Sequence, residues 1–302
     1  MLIVLVDWEG VRGNQFPDVA NYLYKIETIR WRGVEYFFIG ETWIDYLKNE
    51  YAWFFFLYLI AKSSLDPILA LKIVSGFCAF VYHRFLANGI GNILAFVFLL
   101  NPIIIDLLAS QMRGAFAFSI FLVAVMLVRH RMLFYAVTLV LCFVHSAMFV
   151  LSPIYFTSHW LANIRGLKVQ QKIIIAAGLA VGFALLIVTF APIAMSTIGD
   201  RRNYDDASIK SVLYVTFWLA WGVMLIFSMR SRLDIDWAYL YAIFICVSVP
   251  IMTVLGFPSF RLLAISLPVV LLRFKLLAPK LQLVAGSGML LYQVILFGYW
   301  IS

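Results

Sequence analysis

The chain has 302 residues, 64% hydrophobic and only 13% charged, whereas a soluble domain carries about 25% charged residues. That composition excludes a water-soluble globular protein and predicts an all-α chain lying mostly in a bilayer. Lys plus Arg number 23 against 15 Asp plus Glu, for a net charge of +8. The basic residues fall mostly in short gaps between apolar runs, which reads as topology-setting charge rather than a nucleic-acid surface.

At the N-terminus MLIVLV is too short to span and lacks preceding basic residues, so no cleavable signal is expected. Residues 7–50 are the most polar block. They carry Asp7, Glu9, Arg12, Asp18, Glu27, Arg30, Arg32, Glu35, Glu41, Asp45 and Glu50, interleaved with Trp8, Trp31 and Trp43. This predicts an external or interfacial block over 7–62, with aromatic rings at headgroup level. The run 51–61 is apolar but too short to cross alone. A transmembrane bundle over 63–302 completes a single integral membrane domain.

Candidate spans follow at 66–82, 88–106, 113–128, 132–156, 172–194, 211–229, 237–255, 259–273 and 279–300. The expected fold is a polytopic all-α bundle of about eight to ten transmembrane helices with re-entrant segments. Basic clusters lie in five gaps: His83-Arg84, Arg129 to Arg131, Arg165 to Lys172, Arg230 with Arg232, and Arg273 to Lys280. Placing these in the cytoplasm makes a hairpin around Arg84 and puts residues 7–62 outside. It also requires a bend near His145-Ser146, because a straight crossing over 132–156 would put Arg165 and Lys168 on the wrong side. Ser152-Pro153 weakens a straight helix further. Under this topology Arg113, His145, Arg201, Arg202, Tyr204 and Arg261 share the outer face, where charge statistics disfavour arginine. Anion binding is the simplest reason for their presence.

Arg113 stands at the mouth of an uncharged run, Gly114 to Val128, with small residues at Gly114, Ala115 and Ala117 that permit close approach. His145 lies in CFVHSAMFV and reads either as a satisfied core histidine or as a donor or base in a polar pocket. In GDRRNYDDASIKS, Arg201 and Arg202 could grip phosphate oxygens with Tyr204 beside them, unless Asp205 and Asp206 pair them instead. Convergent arginines suit a lipid diphosphate, because guanidinium binds phosphate bidentately and never deprotonates. Cys78, Cys142 and Cys246 sit in separate apolar runs, and no HxxxH or HExxH pairing occurs. Neither disulfide, metal nor other cofactor is expected.

The order of DVANY (18–22), MRGAFAFSIFL (112–122), FVHSAMFVLSPIY (143–155), RRNY (201–204) and FRLLAISLP (260–268) resembles the Wzy/EpsG-type polysaccharide polymerases of bacterial envelopes. The family's glutamine after the arginine is Gly114 here, with Gln111 two residues before it. The resemblance implies a GT-C-like, inverting, metal-independent glycosyltransferase in the bacterial inner (cytoplasmic) membrane. It would move a glycan from undecaprenyl diphosphate to a lipid-linked repeat unit during O-antigen, lipopolysaccharide or exopolysaccharide synthesis, with a chain-length regulator as a possible partner. On that matching Arg113 and Arg261 bind diphosphate and His145 orients or deprotonates. Arg201 or Tyr204 lines the donor site, and Arg202, Gln111, Asp18 and Tyr22 complete the substrate contacts. The competing readings are a transporter or flippase of lipid-linked oligosaccharide, a monophosphate-dependent sugar transferase with Asp7, Asp18 or Glu41 as base, and a glycan ligase.

Overall fold

The computed structural model describes residues 6–13, 16–37, 50–198, 212–228, 235–257 and 259–301. Among these there are helices and turns and no strand. Four helices are long and apolar enough to cross a bilayer, and a fifth crossing exists if one bent pair is a single span. The chain is a multi-pass, all-helical membrane protein. It forms two compact units, residues 1–150 with 292–302 and residues 151–291.

The first unit begins with two helices outside the apolar spans. In α1 (Trp8–Arg12) the Asp7 carboxylate accepts from Gly10 N at 3.0 Å, and Gly13 ends the helix at φ 74. α2 (Pro17–Arg32) opens on a proline, which suits the first helical position. Its apolar side repeats at helical spacing: Tyr22, Ile26 and Ile29 are buried, while Trp31 is 88% exposed. That side packs on α3 (Tyr51–Lys62), and Arg30 Nε donates to Ala61 O at 3.2 Å.

α4 (Pro67–Ile90) starts under an Asp66 cap, whose carboxylate accepts from Leu69 N at 2.9 Å. It runs unbroken through His83 and Arg84 to Gly91 at φ 86. The expected hairpin around Arg84 is therefore absent. Two polar residues lower local hydropathy without breaking a helix, and Arg84 sits exposed on the surface of α4. The break falls at Gly91, where the positive φ suits a residue without Cβ. The expected span 88–106 is instead the end of α4 followed by α5 (Asn92–Leu99) and α6 (Pro102–Ala109), bent by 72° to one another. Asn101 Oδ1 caps α6 by accepting from Ile103 N at 2.9 Å.

α7 (Met112–Leu127) packs on both α4 and α8 (Arg131–Val144). The Tyr82 and Phe118 rings meet edge-on at 6.4 Å in the α4/α7 contact. The bend expected near His145-Ser146 is present: α8 stops at Val144 and α9 (Met148–Asn163) begins after a three-residue break. α9 then continues through Pro153. The unit boundary falls inside α9, at Val150, and again inside α14 (Pro279–Ile301).

In the second unit α12 (Trp237–Val254) is the central helix. It touches α10 (Val169–Ile198), α11 (Val212–Ser228) and α13 (Phe260–Leu272). Most of its residues are buried, which explains its apolar run on every side. Polar side chains tie it in place: Tyr241 and Ser266 hydroxyls lie 2.9 Å apart, Thr253 and Ser259 hydroxyls 2.6 Å apart, and the Tyr239 hydroxyl donates to Leu225 O. Gly222 of α11 faces Cys246, and a Cβ there would lie 3.0 Å from the Cys246 Cβ. Arg273 pairs with Asp236, and Lys172 Nζ donates to Ala162 O at 2.5 Å.

Candidate functional site

Three helix ends of the first unit meet at one buried carboxylate. Glu50 is the residue before α3 and is 3% exposed. Its Oε2 pairs with Arg113 Nη1, from the first turn of α7. Its Oε1 faces His145 Nδ1 at 2.6 Å, in the break between α8 and α9. The same oxygen accepts from Ser146 N at 3.2 Å and from the Ser146 hydroxyl at 3.3 Å. Arg113 Nε donates to the Tyr22 hydroxyl at 3.1 Å, and its guanidinium carbon stands 5.7 Å from the Tyr22 ring centre. Trp53 of α3 closes the floor, its ring centre 5.3 Å from that of Tyr22.

The electrostatics follow from this wiring. Burial works against ionising Glu50, but the contacts from His145, then Arg113 and the Ser146 N–H, outweigh it and hold the carboxyl well below its usual range. An ionised carboxylate can only accept, so His145 Nδ1 carries the proton that lies between them. Whenever the ring is neutral, Nε2 is therefore its lone-pair nitrogen, and it has no hydrogen-bond partner among the described residues. Burial pushes the Tyr22 phenol up to about 12, against the lowering effect of Arg113, so it remains a neutral hydroxyl at physiological pH. Arg113 spends Nε and one Nη1 proton on protein partners and keeps the Nη2 side. Arg113 and His145 are each 16% exposed through their side chains.

A histidine oriented by a carboxylate can take a proton from a hydroxyl. A guanidinium beside it can bind a phosphate or stabilise a leaving anion. Glu50, Arg113 and Ser146 lie at or just before the N-terminal ends of α3, α7 and α9, where helix partial positive charge favours an anion.

The structure thus brings together Arg113, His145 and Tyr22 from the sequence-predicted set. Asp18 lies one turn before Tyr22 on α2, half-buried, and its charge reaches both Tyr22 and Arg113. Gln111 is not in the cluster: its Nε2 donates to Asp106 Oδ2 at 2.9 Å, and Arg12 lies 3.8 Å from the other oxygen of Asp106. Arg261 belongs to the second unit. It stands half-buried in the first turn of α13, 5.8 Å from the ring centre of Phe260, with no ion-pair partner among the described residues. Arg201, Arg202, Tyr204, Asp205 and Asp206 lie outside the described residues, as do Glu41, Trp43, Asp45, Arg230 and Arg232. Glu50 and Ser146 are the site residues that sequence reasoning missed. The available signal was a lone carboxylate directly before the apolar run 51–61.

Beside the cluster, a cavity of about 280 Å³ opens between α1, α2, α4 and α6. Its walls are mostly apolar, including Val19, Leu71, Leu108 and Met112, with Lys72 among them. Cys78, Cys142 and Cys246 are buried free thiols. Among the described residues no three His, Cys, Asp or Glu side chains gather closely enough to hold one metal ion. Comparisons with protein-family models, characterised proteins and solved structures find no match for this chain.

Proposed function

We propose that the protein is a membrane glycosyltransferase of the GT-C type, a Wzy/EpsG-like polymerase. It transfers a glycan from undecaprenyl diphosphate to a lipid-linked repeat unit at the outer face of the bacterial inner membrane. The observation that carries this reading is the Glu50 carboxylate shared by Arg113 and His145, which sets an oriented base beside a cationic anion-holder. In the reaction the acceptor hydroxyl gives its proton to His145 Nε2 while its oxygen bonds to the anomeric carbon of the donor sugar. The bond from that carbon to the diphosphate oxygen breaks, and its electron pair leaves on the diphosphate. Arg113 Nη2 and the helix N-termini stabilise that charge as it develops. Attack from the face opposite the leaving group inverts the anomeric centre. The family resemblance gives Arg261, in the second unit, a diphosphate-binding role of its own.

A flippase or transporter is the second reading, favoured by the 72° break between α5 and α6, since interrupted helices often line transport sites. Deletion of the gene followed by analysis of lipid-linked glycans separates the two. A polymerase deletion accumulates single repeat units on the lipid at the outer leaflet. Units held on the cytoplasmic leaflet would establish the flippase, and finished polymer retained on the lipid would establish a ligase. Arg113→Ala, His145→Gln and Arg261→Ala should each remain inserted in the membrane and stop polymer growth, with rate losses of roughly 10²–10³ for each lost charge-stabilising donor. Normal polymer from the Arg113 and His145 variants would overturn the assignment.

A further inference from the structure

We infer that Glu50 is a positioning residue that couples anion capture at Arg113 to proton acceptance at His145. The inference rests on the glycosyltransferase reading, which makes the captured anion the donor diphosphate.

Two independent observations carry it. The first is the division of labour on one carboxylate: Oε2 takes Arg113, while Oε1 takes His145 and Ser146. The groups facing it are Arg113 from α7 and His145 with Ser146 from the α8/α9 break. Tyr22 and Asp18 on α2 act through Arg113. The second is the backbone. Glu50 sits at φ 53, ψ 54, the left-handed region, and it is the one non-glycine residue with positive φ among the described residues. A glycine or asparagine holds that conformation more readily. A glutamate in this region is strained, and such local strain collects at functional positions.

In the free protein the Arg113 charge is neutralised by Glu50. When diphosphate oxygens engage Arg113 Nη2, guanidinium charge is drawn toward the substrate and Glu50 is left less compensated. Its full charge then acts on the imidazole and stabilises the imidazolium that forms as the acceptor hydroxyl loses its proton. His145 is thereby a strong acceptor when donor is bound and a weaker one when the site is empty. That ordering protects the empty site from activating water. After transfer the proton on Nε2 passes to solvent and the diphosphate departs, which returns Arg113 to Glu50.

The test is nitrogen-15 NMR of histidine-labelled protein in lipid nanodiscs, with His145 assigned through His145→Gln. At a pH where the ring is neutral, wild type should show the proton on Nδ1 and a bare Nε2. Glu50→Gln should lose that single tautomer, and Glu50→Asp should retain it in part. Adding inorganic pyrophosphate should move the His145 Nδ1 signal in wild type and leave it unmoved in Arg113→Gln. In transfer assays Glu50→Gln should lower kcat by up to about 10⁴-fold, the cost of a catalytic histidine losing its orienting carboxylate, and should lower KM as well, because Arg113 is no longer neutralised in the free protein. An unchanged tautomer in Glu50→Gln overturns the inference. So does a wild-type signal indifferent to pyrophosphate, a measurement that needs no variant to fold. If the pyrophosphate response appears as expected while an Arg113→Ala strain makes normal polymer, the coupling stands and the polymerase reading falls.

Discussion

Glu50 is nearly sealed from solvent, and a buried carboxylate is tolerable only with its charge answered. Here two cationic or hydrogen-bonding partners from distant parts of the sequence answer it, 63 and 95 residues away. The linkage to pH follows in sign. The folded-state value of Glu50 lies below the unfolded value near 4.3, so in acid the unfolded chain binds more protons. The stability Glu50 contributes is full above that unfolded value and is lost as pH falls below it. A thermal melt in detergent should show a steep acid limb that flattens in Glu50→Gln. Tyr22 behaves oppositely. Its phenol is raised to about 12, so stability should decline as pH climbs from about 10 to 12. Tyr22→Phe removes the oxygen that accepts from Arg113 Nε and should cost about 1.5–3 kcal/mol, the range for hydrogen bonds to charged groups. It should also weaken the alkaline decline, which the same melt reads out.

At the scale of elements, what sets the site is where helices stop. α8 ends at Val144, and the extended backbone of His145 turns its ring and the Ser146 N–H toward Glu50. The break was legible from charge, because a straight crossing over 132–156 strands the Arg165–Lys172 cluster. The position of the α4 end was not, because hydropathy dips at His83-Arg84 whereas geometry breaks at Gly91. A second element-scale device is the tight α11/α12 contact. Pro250 removes the N–H that would bond Cys246 O, and Gly222 lets α11 approach that same residue. Gly222→Leu places a branched side chain into a contact already at 3.0 Å for a Cβ. It should destabilise the protein by about 1–3 kcal/mol through overpacking and lower the melting temperature, while inserted yield before heating changes little.

For the whole molecule, the arrangement of ends gives a testable topology. Arg113 and His145 meet at one end of α7 and α8, and Arg129 to Arg131 join those helices at the other. A membrane-impermeant thiol reagent should therefore label Ser146→Cys from outside intact cells and label His130→Cys only after the inner face is opened. The native thiols are buried and should contribute little background. Labelling of both positions from one side would overturn this topology. The amino-acid sequence by itself determined the solvent of this protein, its helical class, and the helix ends from α11 onward, because apolar run length and breaker residues are local quantities. It also marked Arg113 and His145, because a charge or imidazole beside an apolar run is costly and so demands a reason. Only tertiary structure decided that Glu50 joins them. Its partner choice depends on three helix ends converging, and a lone glutamate at the edge of a polar block carries no local signal of what will pack against it.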